Sequence, residues 1–269
     1  MSPIELIQYA IKNDIGTIAI TDHDSVEGIK EIIDKKDNQH FSKIRIIAGI
    51  EISAKFSGGT LHILGYGIDI HNQQLLTNLS NFQNIRKNRN ANIVKKLVEL
   101  GIELTIEELE NDTLENKSQG RPHIARLLIK KKAVKDIDEA FDIYLGRDKK
   151  AFVSKEVFSA TEAISMIHKA GGLTVLAHPA TLNLHGELFE DFLDKLISYG
   201  LDGIEVFAPL HSEQQTLDYL ALAKEKNILV TGGSDFHGDI KPNIRIGECS
   251  LGKRLNIESI SQKIIERNI

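Results

Sequence analysis

An α/β fold built from parallel βα units, as a barrel or a doubly wound sheet, is predicted by three features of the chain. Short runs of β-branched residues alternate with amphipathic stretches along much of the sequence. Each run is bounded by glycine or polar residues, as buried strands usually are. The length of 269 residues, 41% of them hydrophobic and 26% charged, suits one large domain or a domain that carries an insert.

The predicted strands and helices follow one another in order. Strands are expected at residues 16–21, 44–52, 60–66, 173–176, 203–207 and 228–231. Helices are expected at residues 2–12, 25–35, 161–170, 188–198, 212–226 and 257–266. Ser2 and Pro3 form a helix start, because serine caps free N–H groups and proline suits the first helical position. Asp22 and Asp24 are candidates to cap the helix that follows Ser25.

A polar, strand-poor stretch interrupts this alternation. Helices are predicted there at residues 81–100, 105–111, 123–131 and 137–145. We therefore expect three parts: a first barrel segment at residues 1–71, a helical insert at 72–150 and a second barrel segment at 151–269. A separate helical domain without a functional link is the alternative.

Composition and charge exclude several classes of protein. The net charge of −5 argues against a basic surface that holds nucleic acid nonspecifically. Cys249 is the single cysteine, which excludes an intrachain disulfide framework and a cysteine-based zinc site. No apolar run approaches the roughly 20 residues of a membrane span, and no secretory signal is visible at the start, so a cytoplasmic location without a membrane partner is expected.

Metal-ligand residue types fall within or just after the predicted strands. These residues are His23, Glu51, His62, His178, Asp235 and His237. Because active sites of α/β folds lie at the carboxyl ends of parallel strands, we expect these side chains to converge. Imidazole and carboxylate without thiolate suit Zn²⁺, Mn²⁺ or Fe²⁺. Four other histidines do not lie at the end of a predicted strand and are expected to be surface or structural residues: His40, His71, His168 and His185.

The predicted insert contains one segment with a functional pattern, Gly120-Arg121-Pro122-His123. Pro122 suits the first turn of a helix, which places Arg121 and His123 at a helix N-terminus that favours an anion. An arginine fork there would bind phosphate, although an ordinary capped helix has the same pattern. Lys155 and His211 are weaker candidates for substrate contacts, and a solvated surface position is favoured for both.

In order and spacing these motifs resemble the PHP (polymerase and histidinol phosphatase) phosphoesterases. The matching segments are residues 18–24, 49–53, 62–66, 120–123, 177–179, 202–206 and 233–237. The insert with Gly-Arg-Pro-His is similar to the branch of nucleoside 3′,5′-bisphosphate phosphatases and 5′-to-3′ exoribonucleases that act on short RNA.

The resemblance implies a distorted (β/α)7 barrel with up to three divalent metal ions. The implied metal ligands are His23, Glu51, His62, His123, Asp235 and His237, with Glu51 bridging two metals. His178 and Arg121 would lie near the phosphate.

One departure from the family is large. The family begins with a strand that carries His-x-His and a nearby Asp, followed by the Ser-Pro helix, whereas this sequence begins at that helix. We expect a truncated sequence, because every later motif is intact; a degenerate member is the alternative. In this form we expect the chain to bind about one metal tightly, since three protein ligands make a normal catalytic site, and to be weakly active or inactive.

The expected activity is hydrolysis of a phosphate monoester on a nucleotide or short oligonucleotide. Metals would lower the pKa of a water that attacks phosphorus, Arg121 would neutralise phosphoryl charge, and His178 would protonate the leaving oxygen or orient the phosphate. Three alternatives remain: a histidinol-phosphatase-like enzyme, an amidohydrolase or deaminase barrel, and a PHP module without catalysis.

Overall fold

The computed structural model describes residues 1–35, 43–111, 120–154, 157–238, 241–249, 260 and 262–266. These residues divide into two compact units. The first unit, which we call the sheet unit, comprises Met1–Thr77 and Phe158–Ile269, and the second, the helical unit, comprises Asn78–Val157. No helix among the described residues is both long and apolar enough to cross a membrane.

The sheet unit contains one six-stranded sheet. Its strands are β1 (Thr17–Ile20), β2 (Arg45–Ala54), β3 (Leu61–Tyr66), β4 (Leu173–Leu176), β5 (Gly203–Phe207) and β6 (Leu229–Gly232). They lie side by side in chain order, from β1 to β6. A doubly wound sheet reverses its strand order at a switch point, and these described strands do not, so that alternative is wrong. The mixed α/β, barrel-like architecture is confirmed, and a seven-stranded count stays a prediction.

The direction of β3 differs from the all-parallel expectation. β1 pairs parallel with β2, and β4, β5 and β6 pair parallel with one another, but β3 is antiparallel to both β2 and β4. The link between Ala54 and Leu61 is too short for a parallel crossover, which needs a dozen or more residues. As a result the start of β3, where His62 pairs with Ser53, lies at the edge where the parallel strands end.

The helices of both units fall on the periodic stretches of the sequence. They are α1 (Pro3–Lys12), α2 (Glu27–Asp34), α3 (Gln73–Glu99), α4 (Ile106–Asn111), α5 (Arg121–Lys130), α6 (Ile137–Ala140), α7 (Ala160–Lys169), α8 (Glu187–Ser198), α9 (Glu213–Glu225) and α10 (Gln262–Ile265). However, α3 begins eight residues before the predicted residue 81, and α6 ends five residues before the predicted residue 145. Residues 257–259 and 261 of the last predicted helix lie outside the described residues. Ser2 caps α1 as predicted, in a reciprocal pair of hydrogen bonds with Glu5. Neither Asp22 nor Asp24 caps α2, because Val26 precedes its first turn and supplies no side-chain hydrogen bond.

Each unit has its own apolar core. In the sheet unit, buried side chains of β2, β3 and β4 pack with α10, among them Ile47, Leu64, Val175 and Ile264. In the helical unit, buried side chains of α3, α4 and α5 pack together, including Ile93, Leu97, Leu109, Ile124 and Leu128. The sheet unit therefore holds its strand ends on a packed core, which is what a precise site requires.

Candidate active site

Three side chains in the sheet unit offer ligand atoms that all lie within 4.8 Å of one another: His23, Glu51 and His62. Just after the end of β1, His23 forms an isolated parallel bridge with Glu51 of β2. Glu51 lies within β2, and His62 arrives from the antiparallel β3. The sheet register thus brings together residues far apart in sequence, as the strand-end pattern predicts. We call these three residues the His-Glu-His cluster.

Glu51 is the centre of this cluster. Its carboxylate is 6% exposed, and its Oε1 lies 2.6 Å from His62 Nδ1 and 3.0 Å from His178 Nε2. Its Oε2 lies 3.7 Å from His23 Nδ1. Because His62 and His178 both reach the same oxygen, their two nitrogens come within 3.2 Å of each other. One buried carboxylate therefore faces three imidazole rings.

The electrostatics of the cluster keep Glu51 ionised. Burial alone would raise the pKa of Glu51, but the hydrogen bonds from His178 and His62 hold that pKa well below its ordinary value. Burial opposes the charge on His178, yet the bond to Glu51 and the charge of Glu205 raise the pKa of His178 to about 9. The site combines a buried negative charge with nitrogen ligands, which is the environment that a cation needs.

His23 supplies the observation that tests the fit of a metal. Its Nδ1 is buried and has no hydrogen-bond partner among the described residues. Burial lowers the pKa of His23, more than the nearby Glu51 raises it, so the ring is neutral. Neutral imidazole is the form that binds metal ions, and an unpartnered buried nitrogen is costly without a ligand. The residues present therefore fit a divalent metal.

Asp24 holds the loop that carries His23. Asp24 is 1% exposed, and its carboxylate accepts the Ser53 N–H at 2.9 Å and the Ser53 hydroxyl at 3.1 Å. These bonds fasten the loop after β1 onto β2 and keep His23 beside Glu51. The sequence placed Asp24 at a helix start instead, since its true partner lies 29 residues away.

Asp235 and His237 follow β6, as the sequence predicts, and lie close to each other. The distance from His237 Nδ1 to Asp235 Oδ1 is 3.3 Å, and the same nitrogen donates to the Asp235 backbone carbonyl at 2.8 Å. The His237 ring lies 5.7 Å from the His23 ring, centroid to centroid. The Lys241 ammonium forms an ion pair with Asp235 Oδ2. His237 is thus brought to the His-Glu-His cluster, and Asp235 has a lysine partner.

His178 lies on a strained turn at the end of β4. Its backbone has φ 24° and ψ 62°, a conformation that non-glycine residues rarely adopt. Its N–H donates to Glu205 Oε2 at 2.7 Å, and its Nδ1 lies 3.1 Å from Thr181 Oγ1. Burial raises the pKa of Glu205 to about 7, although His178 lowers it. Glu205 was not predicted as a site residue; its only signal was a charge within an apolar strand.

The remaining predicted residues have separate environments. His211 is 2% exposed, its Nδ1 donates to the Val206 carbonyl at 2.8 Å, and its Nε2 has no partner among the described residues. A solvated position for His211 is therefore wrong. In the helical unit, Arg121 donates to the Leu145 carbonyl at 2.9 Å, and His123 Nδ1 accepts from Gly120 N–H at 3.3 Å. Lys155 and His40 lie outside the described residues.

Comparisons with known proteins identify the family. No family model matches the chain. A 5′-3′ exoribonuclease of Haemophilus influenzae is 31% identical over 258 residues, which cover 96% of this chain and 90% of that protein. The chain belongs to the family of this phosphoesterase. A 3′,5′-nucleoside bisphosphate phosphatase of Chromobacterium violaceum is 29% identical over 237 residues, covering 88% of this chain and 82% of the relative.

The family agrees with the site geometry and with the motifs that resemble PHP phosphoesterases. A solved structure from Bifidobacterium adolescentis, described as a metal-dependent phosphoesterase, superposes with a TM-score of 0.81 and 26% identity, covering 100% of this chain and 91% of the other. As a member of this family the chain is a metal-dependent phosphoric ester hydrolase.

Proposed function

We propose that this hydrolase removes a phosphate monoester from a nucleotide of the 3′,5′-bisphosphate type or from a short oligonucleotide. The observation that carries the proposal is the buried His-Glu-His cluster, in which Glu51 is held ionised beside an imidazole nitrogen of His23 that has no hydrogen-bond partner among the described residues. The substrate class is supported by two relatives, which are named as an exoribonuclease and as a nucleoside bisphosphate phosphatase.

The proposed metal ligands in the sheet unit are the three cluster residues together with Asp235 and His237. His123 is the proposed ligand from the helical unit, by the resemblance of its motif. This set of imidazole and carboxylate donors suits Mn²⁺, Zn²⁺ or Fe²⁺, and the complete family site takes up to three ions. A divalent metal supplies Lewis-acid chemistry, which lowers the pKa of water and neutralises phosphoryl charge.

His178 is proposed to handle the proton of the reaction. Its Nε2 donates to Glu51 at 3.0 Å, and Thr181 contacts its other nitrogen, so the ring is fixed from both sides. A pKa raised to about 9 keeps a proton on the imidazole near neutral pH. That proton can be given to the leaving oxygen, or the charged ring can orient the phosphate. Glu205 acts as a positioning residue, since it holds the backbone N–H of the strained turn.

Arg121 is proposed to bind phosphate. A guanidinium carries five N–H donors in a fork that matches phosphate, and the described hydrogen bonds of Arg121 use one of them, to the Leu145 carbonyl. Stacking of its guanidinium at 5.4 Å over the Phe141 ring limits its motion. Lys155 and His211 are proposed as weaker substrate contacts.

A substrate panel tests the proposed function. Phosphate release is measured with adenosine 3′,5′-bisphosphate, a 5′-phosphorylated pentanucleotide, histidinol phosphate and adenosine 5′-monophosphate, each with added Mn²⁺. We expect the bisphosphate or the pentanucleotide to have the highest kcat/KM. A preference for histidinol phosphate would support the histidinol-phosphatase alternative instead. Bound metal without turnover of any of the four would support a binding module.

A further inference from the structure

An aromatic ring of α1 stacks on the loop that follows β6. The rings of Tyr9 and Phe236 lie 5.7 Å apart, centroid to centroid, with an angle of 19° between their planes. Both residues are partly exposed. The core-facing residues of α1 are Ile7 and Ala10, so the two rings pack beside the core and not within it. We call Tyr9 and Phe236 the aromatic pair.

The aromatic pair adjoins the candidate metal site. Phe236 stands in the sequence between Asp235 and His237, two of the proposed metal ligands. The His237 ring lies 5.7 Å from the ring of His23 in the His-Glu-His cluster. The loop that supplies metal ligands therefore also supplies one ring of the aromatic pair. A nucleotide has a matching layout, because a sugar joins its phosphate to a flat base.

An open groove beside Tyr9 has room for a flat ring. The groove follows one face of α1 and has a volume of about 490 Å³. Its lining residues are Met1, Glu5, Gln8, Tyr9 and Lys12. The charged groups among them are one carboxylate and one ammonium, and the Ser2 N–H donates to the Glu5 carboxylate at 2.7 Å. Balanced charge beside an aromatic face suits a neutral, flat group better than it suits a phosphate.

We propose that Tyr9, supported by Phe236, binds the base of the substrate by stacking while the phosphate lies at the metal site. This inference rests on the proposed function for the identity of the substrate. Aromatic side chains bind the bases of single-stranded nucleic acids in this way, and stacking tolerates any base because each has a π-face. The aromatic pair would therefore favour nucleotides over phosphate esters without a base, such as histidinol phosphate, and would not select one base.

A pair of substrates that differ in the base tests the proposal with Mn²⁺ present. These are adenosine 3′,5′-bisphosphate and ribose 3,5-bisphosphate, which has no base. We expect Tyr9→Ala to lower kcat/KM for the nucleotide about ten-fold, mainly through KM, because the stacking contact is lost. The same variant should leave kcat/KM for the sugar bisphosphate within about two-fold of the wild type, since no base is present to stack.

Two further variants serve as controls. Tyr9→Phe keeps the ring and should behave as the wild type with both substrates. Tyr199→Ala removes an exposed tyrosine elsewhere in the sheet unit and should change neither. An equal loss with both substrates in Tyr9→Ala would overturn the proposal, because it would show that Tyr9 only holds the loop after β6.

Binding of adenosine without phosphate, followed by saturation-transfer NMR in chelator, needs neither metal nor turnover. We expect the base protons to receive saturation from the wild-type chain and much less from Tyr9→Ala. No transfer from the wild type would overturn the base site, and the proposed function would survive if the bisphosphate were still hydrolysed. Transfer that depends on Tyr9, in a chain that hydrolyses none of the nucleotides, would support the base site and contradict the proposed function.

Discussion

Strand β4 has a histidine–carboxylate cluster at each end, and the two clusters differ in their surroundings. At the carboxyl end, His178 contacts Glu51 in the His-Glu-His cluster. At the amino end, His168 contacts Asp202 through Nε2 and Oδ2 at 2.8 Å. A histidine paired with a carboxylate therefore occurs twice in one sheet unit, so the two clusters can be compared directly.

The difference lies in burial and in hydrogen-bond saturation. Asp202 Oδ2 also accepts the Thr174 N–H at 2.8 Å and the Thr174 hydroxyl at 3.0 Å, and the His168 side chain is 38% exposed. Glu51 is 6% exposed, and the nearby His23 has a buried nitrogen without a hydrogen bond to any described residue. A saturated, part-exposed pair ties elements together, whereas a buried and unsaturated one is ready to bind a ligand. This agrees with the rule that barrel sites lie at the carboxyl ends of strands.

Replacement of Glu51 should have the largest effect. Glu51→Gln keeps the shape of the side chain but removes the charge that three imidazoles face. We expect kcat/KM for phosphate release to fall by more than about 100-fold. Loss of a residue that only hydrogen-bonds to a metal ligand usually costs about 10–100-fold, and loss of a ligand itself should cost more. Elemental analysis after dialysis should show less bound metal. Normal turnover with full metal content would contradict the assignment of the cluster.

Replacement of Asp202 should affect stability and leave chemistry intact. Asp202→Ala leaves the buried N–H of Thr174 and the ring of His168 without their acceptor. We expect the free energy of unfolding to decrease by about 1–3 kcal/mol, measured by urea denaturation. Asp194→Ala, which removes an exposed ion pair with Lys226, is the control and should cost less than about 1 kcal/mol. A loss of kcat in the folded Asp202 variant would break the comparison.

Glu205 should make the stability of the metal-free chain depend on pH. Its pKa is about 7 in the folded chain, against an ordinary 4.5. Between these values the unfolded chain has lost the proton that the folded chain keeps, so this contribution to stability is present below pH 4.5 and is lost as pH rises through about 7. Glu205→Gln cannot titrate. Relative to the wild type, the free energy of unfolding of this variant should increase by on the order of 2–3 kcal/mol between pH 4 and pH 8.

Urea denaturation of both proteins in chelator, at several pH values, gives the difference directly. His178 titrates in both chains, and its pKa depends on the charge of Glu205, so the difference between the two stability curves reports on Glu205 together with its effect on His178. Parallel curves would show that the carboxyl is ionised throughout and that its bond to the His178 N–H suffices to hold the charge.

The sheet was predictable from sequence to within a few residues, because its strands are short apolar runs with clear limits. The direction of β3 was missed, although a signal was present. Gly58 and Gly59 lie in the short link after β2, and glycines there are typical of a hairpin. Gly59 is needed in the fold, since a Cβ would come within 2.3 Å of the Thr181 carbonyl oxygen.

The cluster at the carboxyl end of β4 was predictable as a convergence of ligand types, but its supports were not. Asp24 and Glu205 act on partners 29 and 27 residues away, and local sequence carries no information on such pairs. His168 was expected to be a surface or structural residue, and its bond to Asp202 gives it a structural role. Residue type alone identified the candidate site residues. Burial and the number of hydrogen bonds already formed distinguish the candidate site around Glu51 from the structural pair of His168 and Asp202.

The smallest effect is expected at Lys241, whose ammonium pairs with Asp235. If Asp235 binds a metal, this pair must break first, so the lysine competes with the ion. Because the Lys241 side chain is 39% exposed, the pair contributes at most about 1 kcal/mol. Lys241→Met should therefore tighten Mn²⁺ binding by no more than about five-fold, measured by calorimetry. Weaker binding in this variant would show that Lys241 assists the metal site, and that Asp235 needs the lysine to hold its orientation.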